Sequence, residues 1–534
     1  MDNKLNTIVF TDDLQTGPRF NRPIPCAGVS GRQKTMLPPD IHELSLVWRG
    51  DKLMKRPGLP LRAIITLVTL LLFSEGLSLE AQPVYTNFTI TLGSTSLVPN
   101  ANPAIQTYPY TPDGHVSFLA DNGTNNVCQM YWAGGSSYRS LGTNVVIQSL
   151  NPGAALIGPG TSSSDFDNGG AWLMSVFRIS TNELVGFYHA EDWNWSGYSN
   201  PTDIAWKSMA FCTSTNNGDT WHKAGQFLTS STPKPATPTW GGTGDACVVY
   251  DQANARWVCL YSGTWIINVA VSTNAIPLPG TWKKYYNGSF STPGLGGQET
   301  PISALASIPG ANPSVHFNTY LQRWVMVFET DDTEGSGLFL STSADLLNWT
   351  PPTPLVTVTP PEQAWYATII GRTDVEASRN AKLYFAYWPD ATTGLRQFLS
   401  ATMQFNLPDT LGDGVPDAWK TYYFGSIYAP LAAASADPDG DGQDNLSEYY
   451  AGTNPTNSNS LLQFQSVQAT TPGQMVLNWQ SVAYKYYTVE ISTNLANWTP
   501  LRQNIPATPP ANLYTNSVPA GQGARFYRIS VAPF

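Results

Sequence analysis

Charge is scarce in this chain of 534 residues. Asp, Glu, Lys and Arg together make up 12% of it, against about 25% in an average soluble protein. The net charge is −10, and no basic stripe is present to neutralise phosphates, so a nucleic-acid partner is disfavoured. An acidic chain of this kind better suits a neutral polymer or a bound cation.

Cysteine is also rare, and neither a CxxC pair nor a Cys/His pattern with zinc spacing occurs. Four of the five cysteines follow the N-terminal region: Cys128, Cys212, Cys247 and Cys259. Cys247 and Cys259 fall on the two arms of one predicted hairpin, where matching registers would allow a cross-strand disulfide. Buried free thiols are the alternative, and the sequence leaves both open.

Only one long apolar run exists, at 61–73, and it follows Met54, Lys55 and Arg56. This order predicts a secretory signal peptide over 54–81, and therefore a secreted, periplasmic or cell-surface protein. The run is shorter than the ~20 residues that a membrane span needs, so the mature chain is predicted to lack an integral span. Residues 1–53 are predicted to be an upstream extension that is not part of the fold.

Turn-forming and aromatic residues are abundant, with 44 Gly, 42 Pro and 12% aromatics. A hairpin pattern with an Arg-Trp-Val core occurs twice, at 244–261 and 312–329. Strand-rich units recur five times, at 113–146, 170–226, 244–282, 312–349 and 365–405. They predict an all-β protein with a five-bladed β-propeller over 84–407. A pair of β-sandwiches or a jelly roll, the alternative, would not explain the five-fold recurrence.

A calcium-binding pattern follows the propeller, in a linker predicted over 408–458. EF-hand spacing is shown by Asp437, Asp439, Asp441, Gln443, Asn445 and Glu448. Acidic positions 1, 3, 5 and 12 supply oxygens, Gly at position 6 allows the sharp turn, and position 7 lends its carbonyl to Ca²⁺. An acidic surface loop is the alternative. A partial copy at 409–420 has Leu411 at position 3 and Lys420 at position 12.

Residues 461–534 contain segments with the alternating pattern of β-strands, which predict a C-terminal β-sandwich.

Chemistry in a propeller is expected at one mouth of the channel, where the first strand of each blade begins and the second ends. Carboxylates and aromatic rings meeting there suit glycoside hydrolysis, which needs an acid, a base and rings that stack on sugars. The catalytic candidates are Asp113, Glu191 and Asp245. The candidates for substrate binding are His115, Trp132, His189, Asp192, Trp193, Trp265, His316, Glu329 and Trp365.

Asp113 opens the first unit in PDGH, and Asp245 opens the third in GDACVVYD. With these motifs, residues 84–407 resemble the five-bladed propeller glycosidases related to glycoside hydrolase family 43. The resemblance implies Asp113 as base, Asp245 as the carboxylate that tunes and orients, and a Glu acid opening a later blade. Asn312 stands where that Glu is expected, so the acid must come from elsewhere. Glu191 is the first candidate and Glu329 the second.

The other two regions also have relatives. The linker resembles dockerin or thrombospondin type 3 calcium linkers, which implies a stiff spacer, and the last domain resembles fibronectin type III modules. The whole implies a secreted, monomeric glycoside hydrolase acting on a polysaccharide or oligosaccharide, with arabinose- or xylose-type linkages expected. A non-catalytic carbohydrate-binding or adhesion propeller on a calcium-stiffened stalk is the alternative, and Asn312 favours it.

Overall fold

The computed structural model describes residues 8–10, 83, 85–98, 111–120, 127–142, 153–195, 204–263, 266–302, 305, 310–330, 337–471, 473–518 and 524–532. The predicted signal peptide at 54–81 and most of the segment 1–53 lie outside these residues. No helix within the described ranges is long and apolar enough to cross a membrane.

Three short strands come first, and five antiparallel sheets follow. The short strands are β1 (Ile8–Phe10), β2 (Thr89–Leu92) and β3 (Ser96–Leu97). The first sheet contains β4 (Ser117–Leu119), β5 (Cys128–Gly134) and β6 (Ser136–Gly142). The second contains β7 (Gly170–Arg178), β8 (Leu184–Asp192), β9 (Trp206–Ser214) and β10 (His222–Leu228), with β11 (Gly241–Gly242) parallel to β9.

The remaining three sheets are also built from strands that follow one another in the chain. The third contains β12 (Gly244–Asp251), β13 (Arg256–Gly263), β14 (Ile266–Ser272), β15 (Lys283–Tyr286) and β16 (Ser289–Pro293). The fourth contains β17 (Ala311–Asn318), β18 (Arg323–Thr330), β19 (Gly337–Ser343) and β20 (Thr353–Thr357). The fifth contains β21 (Gln363–Ile370), β23 (Asn380–Trp388) and β24 (Gln397–Asn406), while β22 (Glu376–Ala377) pairs parallel with β17.

The first strands of the five sheets contact one another in a closed cycle. At four of the five junctions a small side chain accepts a hydrogen bond from a backbone N–H group of the neighbouring sheet. Ser117 Oγ accepts from Val176 N–H (3.0 Å), and Ser175 Oγ accepts from Val248 N–H (3.1 Å). Cys247 Sγ accepts from Val315 N–H (3.3 Å), and Thr368 Oγ1 accepts from Val116 N–H (3.0 Å). Strands β17 and β21 contact each other at the remaining junction. The ring is that of a five-bladed β-propeller, which confirms the predicted fold class.

Strand β2 gives the ring a feature that the sequence did not reveal. It pairs antiparallel with β24 and so forms the outer strand of the fifth sheet. One sheet therefore joins chain from before the first blade to chain from the end of the last. This pairing links the two ends of the propeller, so the ring cannot open without breaking backbone hydrogen bonds.

The repeated hairpin owes its turn to a polar residue that ends its first strand. In the third sheet Asp251 accepts hydrogen bonds from Asn254 N–H (3.2 Å) and from Arg256 Nε (2.9 Å). In the fourth, Asn318 Oδ1 accepts from two backbone N–H groups in the same way. Arg256 also donates to the carbonyl of Asp345 in the next sheet (3.0 Å). The Arg of the repeated motif thus joins neighbouring blades.

The four cysteines of the described residues are buried free thiols. In the β12–β13 ladder Cys247 faces Leu260 while Cys259 faces Val248, so the two cysteines are not opposite each other. The cross-strand disulfide that the sequence left open is therefore not formed.

The linker contains two short helices, α1 (Asp417–Phe424) and α2 (Asn445–Ala451), and a 3-10 turn at Pro430–Ala432; another 3-10 turn lies in the fifth sheet at Ala391–Thr393. Trp419 of α1 and Tyr449 of α2 are buried in one hydrophobic cluster with Tyr85, Phe405 and Leu407 of the propeller. The expectation that the linker is a stiff spacer is wrong, because the linker packs on the propeller instead of holding a domain away from it.

The C-terminal region forms two sheets around a shared apolar core. One contains β25 (Phe464–Thr471), β26 (Gln474–Gln480) and β29 (Ala511–Ser517). The other contains β27 (Tyr486–Ser492), β28 (Thr499–Pro506) and β30 (Arg525–Val531), with β1 paired to β30. The predicted β-sandwich is thus present, and three residues of the segment 1–53 pair with its edge.

The sandwich also contacts the propeller. The ring of Tyr484 stacks on Phe317 with centroids 3.7 Å apart. Nearby, Tyr486 Oη donates to Glu376 (2.6 Å), and the Arg372 guanidinium lies 3.5 Å from the centre of the Tyr486 ring. These contacts dock the C-terminal domain on the fourth and fifth blades.

Candidate active site

A cavity of about 630 Å³ opens at the end of the ring where the first strands begin. All five sheets or the segments leading into their strands contribute to its wall. It is lined by five of the predicted site residues, namely Asp113, Glu191, Asp245, Glu329 and Trp365, and by Asn312. Carboxylates of four blades, Asp113, Glu191, Asp245 and Glu329, thus line one cavity.

Three blades present their polar or aromatic residue through the same backbone distortion. Asp245, Asn312 and Tyr366 have positive φ values of 47°, 49° and 55°, a conformation that is uncommon outside glycine. In each case the strand register shifts at that point, as in a β-bulge. Bulges re-aim side chains and are frequent next to active sites. Tyr366, rather than the predicted Trp365, therefore holds the position equivalent to Asp245 and Asn312.

Glu191, His189, Asp245 and Lys207 form a chain of titratable side chains, and all of them except His189 line the cavity. His189 Nε2 lies 3.2 Å from Glu191 Oε1, and His189 Nδ1 lies 3.2 Å from Asp245 Oδ1. Lys207 Nζ donates to Asp245 Oδ2 (2.6 Å). Burial alone lowers the pKa of His189, but Asp245 and Glu191 outweigh it and raise that pKa to about 9. The two carboxylates therefore favour the protonated ring, while Nδ1 also lies 3.0 Å from the backbone nitrogen of Asp245, whose N–H donates to it when the ring is neutral.

Asp245 is held as an anion in this wall. Its burial by itself raises the pKa, but the positive charges of Lys207 and His189 outweigh burial and hold the pKa of Asp245 well below its usual range. Glu191 accepts from His189 and, through Oε2, from Trp193 Nε1 (2.8 Å). Both of its oxygens are thus used to position neighbours.

Glu329 has the opposite character. Only 1% of it is exposed, and burial raises its pKa to about 8, with the negative charge of Asp245 adding to the rise and hydrogen bonds from Tyr366 N–H and Asn312 opposing it. Glu329 is consequently protonated at neutral pH. Asn312 Nδ2 donates to Glu329 Oε1, so the amide of the fourth blade holds this carboxyl group in place.

Asp113 lies across the cavity in a salt bridge. Arg396 Nη1 donates to Asp113 Oδ1 (2.9 Å) and to the carbonyl of Pro112 (3.1 Å). The guanidinium is also 4.6 Å from the centre of the Trp388 ring. Arg396 thereby fixes the carboxylate against the cavity wall.

Sequence reasoning missed the four other charged or aromatic residues of the cavity: Lys207, Trp240, Tyr366 and Arg396. Trp240 is 54% exposed and precedes β11, whose pairing with β9 holds it beside Lys207. In the sequence Trp240 lies between two predicted strand-rich units, and no local pattern shows that its indole is exposed beside a cavity. Lys207 could have been found as the cross-strand partner of Glu191.

Other predicted substrate contacts lie away from the cavity wall. Trp132 is 0% exposed and packs in the core between the first and fifth sheets, so it cannot stack on a substrate. His115 and His316 are buried too, and burial lowers the pKa of the first to about 4 and of the second to about 3. Both are neutral residues of the interior at neutral pH.

Asp192 and Trp193 support the site from behind. Asp192 pairs with Lys234 (2.7 Å) and accepts from Asn168 Nδ2 (2.7 Å), which anchors the end of β8. Trp193 reaches the site only by its bond to Glu191. Trp265 lies outside the described residues.

The acidic loop of the linker has the donor set of a cation site. Oxygens of Asp437, Asp439 and Asp441 lie within 4.8 Å of one another. Glu448 is 0% exposed, and its Oε2 has no hydrogen-bond partner among the described residues, as is true of Asp439 Oδ2 and Asp441 Oδ2. Burial and these neighbouring carboxylates raise the pKa of Glu448 to about 9. Hard oxygen donors that lack partners fit Ca²⁺.

Two predicted ligands of this loop anchor it as well. Asn445 Nδ2 donates to the carbonyls of Leu431 (2.8 Å) and Ala433 (2.7 Å), and Gln443 Nε2 donates to that of Leu462 (3.2 Å). Gln443 is therefore left with its backbone carbonyl as a ligand, as position 7 of the pattern requires.

No protein-family model and no curated protein sequence matches this chain. Among solved structures it is similar to a family 117 glycoside hydrolase of the marine bacterium Zobellia galactanivorans, with 9% identity, a TM-score of 0.39, and coverage of 61% of this chain and 92% of that one. It is also similar to an endo-arabinase from Bacteroides thetaiotaomicron, with 9% identity, a TM-score of 0.34, and coverage of 59% and 99%. A third similar structure is a putative exo-beta-1,3-galactanase from Bifidobacterium bifidum, with 9% identity, a TM-score of 0.34, and coverage of 56% of this chain and 98% of that one.

Proposed function

We propose that the protein is a secreted glycoside hydrolase whose active site is the cavity at the propeller mouth. The observation that carries this proposal is that one cavity holds a protonated carboxyl group, Glu329, together with two carboxylates, Asp245 and the Arg396-paired Asp113. Carboxyl groups whose surroundings push their pKa values apart are the means by which glycosidases obtain an acid and a base at one pH.

Glu329 is the general acid in this proposal. It protonates the leaving glycosidic oxygen, and the Asn312 amide orients it. Asp113 is the base that takes a proton from the attacking water, held in place by Arg396. Asp245 remains charged throughout, held as an anion by Lys207 and His189, and its negative charge adds to the burial that keeps the proton on Glu329. Glu191 positions His189, so its first-ranked role as acid passes to Glu329.

The substrate is proposed to be a neutral sugar chain, with arabinose- or xylose-type linkages as the first to test. Lys207 and Arg396, the two lysine and arginine side chains on the wall, are each paired with a carboxylate. A uronate or sulfate group would have to displace one of these pairs. The rings of Trp240, Trp365 and Tyr366 supply apolar faces on which sugar rings stack.

The test compares the wild-type protein with Glu329→Gln and Asp113→Asn on arabinans, xylans and aryl glycosides. We expect Glu329→Gln to lose about 10²–10⁴-fold in kcat on natural polymers but far less on aryl glycosides whose leaving group needs no proton. Asp113→Asn should lose activity on both kinds of substrate. A wild-type protein that binds these polymers but hydrolyses none would instead favour the non-catalytic carbohydrate-binding role.

Calcium in the linker belongs to the same proposal. Asp437, Asp439, Asp441 and Glu448 would hold the ion with their side-chain oxygens, and its charge would offset the repulsion among them. The ion lies in the linker and supplies no chemistry to hydrolysis.

A further inference from the structure

The linker contains two loops with the same backbone frame, loop one (409–420) and loop two (437–448). In each, the first Asp accepts from the Gly N–H at position 6: Gly414 donates to Asp409 Oδ2 and Gly442 to Asp437 Oδ2, both at 2.9 Å. Position 5 repeats the match one step later, because Asp413 Oδ1 accepts from Val415 N–H at 3.2 Å and Asp441 Oδ1 from Gln443 N–H at 2.8 Å.

The turn geometry matches as well. The glycines at positions 4 and 6 have φ values of 64° and 90° in loop one and of 76° and 93° in loop two. Each loop runs directly into a short helix, α1 or α2. Loop one therefore has the fold of a cation-binding loop although its ligand set is incomplete.

The two loops differ at position 12. Loop two has Glu448 there and loop one has Lys420, and both residues are 0% exposed. Lys420 Nζ donates to both carboxylate oxygens of Asp413, at 2.6 and 2.7 Å. The ammonium thus makes the two-oxygen contact with the position-5 carboxylate that a bound cation could make in loop two.

The other acids of loop one are also satisfied. Asp417, at position 9, accepts from Thr410 N–H (2.9 Å) and Thr410 Oγ1 (2.6 Å). Asp413 Oδ2 accepts additionally from Ala434 N–H (3.3 Å). Loop two, in contrast, has buried carboxylate oxygens without partners among the described residues. This difference shows which loop is complete as it stands.

We propose that the Lys420 ammonium takes the place of the divalent cation in loop one. The formal charges agree: side chains at positions 1, 3, 5, 9 and 12 sum to −2 in loop one with Lys420 included, and to −2 in loop two once a divalent cation is added. Loop one accordingly folds without metal, and the single Ca²⁺ of the calcium proposal belongs to loop two. This inference is independent of the catalytic proposal.

The test restores the missing ligands. Leu411 at position 3 is 45% exposed, so Leu411→Asp is tolerated by packing, and Lys420→Glu supplies position 12. Calorimetric titration of the chelator-treated full chain with Ca²⁺ should give one ion for the wild type and two for Leu411→Asp/Lys420→Glu. Adding Asp439→Asn and Asp441→Asn should remove the loop-two ion from both proteins and leave zero and one.

A second measurement addresses the ammonium itself. Lys420→Met should lower the Tm by the same amount in Ca²⁺ and in EDTA, because loop one has no metal to lose. Leu411→Asp/Lys420→Glu should have a low Tm in EDTA that Ca²⁺ restores. The inference is overturned if the wild type binds an ion that Asp413→Asn removes, if the double variant gains no ion, or if it fails to fold in saturating Ca²⁺. A wild type that binds no ion, with a double variant that binds one, supports the inference and refutes only the calcium proposal for loop two.

Discussion

Replacing Glu329 by Gln should make the protein markedly less sensitive to alkaline pH. In the folded chain the pKa of Glu329 is raised from 4.5 to about 8 by burial, so between these values the native state holds a proton that the unfolded state has lost. Its stabilising contribution is complete below pH 4.5 and declines as the pH rises toward 8. The slope is about 1.4 kcal/mol per pH unit, or about 4 kcal/mol between pH 5 and 8.

That loss is a large part of the 5–15 kcal/mol by which domains are typically stable. Gln cannot ionise and has the shape of the protonated acid, so Glu329→Gln should match the wild type at pH 5 and exceed it at pH 8. Urea denaturation at several pH values measures the difference, and the exposed Glu183→Gln serves as the control. Equal slopes for Glu329→Gln and the wild type would refute the assignment of Glu329 as a buried, protonated acid.

Three further outcomes are expected. Asp245→Asn should move the alkaline limb of the activity profile to lower pH, because the charge of Asp245 helps to raise the pKa of Glu329; an unmoved limb would contradict this coupling. Trp240→Ala should raise KM about tenfold with little change in kcat, by loss of about 1.4 kcal/mol of ring contact, whereas the exposed control Tyr428→Ala should change neither. EDTA should lower the Tm of the full chain, and Asp441→Asn should abolish that response; a wild-type Tm insensitive to EDTA would argue against the cation.

The fold was predictable because each copy of its repeat has a recognisable pattern in a short stretch of sequence. The Asp251 turn and the apolar run of β12 have near-copies in the fourth blade, and each such hairpin needs neighbours on both faces to bury its side chains. The pairing of β2 with β24 was not predictable in this way. It joins segments about 300 residues apart in sequence, and a four-residue strand has no local sign of its partner.

The candidate site was likewise predictable only where short stretches of sequence indicate position. Residues next to strand starts, such as Asp113 and Asp245, were placed correctly because strand order alone brings them to one end of the ring. The ranking of Glu191 over Glu329 rested on a neighbouring Trp and a neighbouring carboxylate in the sequence. The proposed role of Glu329 rests instead on its burial, with 1% exposed, and on the hydrogen bond from the Tyr366 N–H of the fifth blade (2.9 Å). Both depend on packing between blades that no single strand reveals.

The linker is packed on the propeller and is therefore part of the same folded unit. A calcium-stiffened stalk would keep the propeller and the sandwich apart, yet Trp419 and Tyr449 are buried against Tyr85 and Phe405. Tyr85 lies four residues before β2, the strand that closes the ring. Loop two ends in α2, which contributes Tyr449 to this cluster. The helix that follows loop two and the segment that leads into the closing strand therefore share one apolar core, and we expect Ca²⁺ bound in loop two to favour the closed ring.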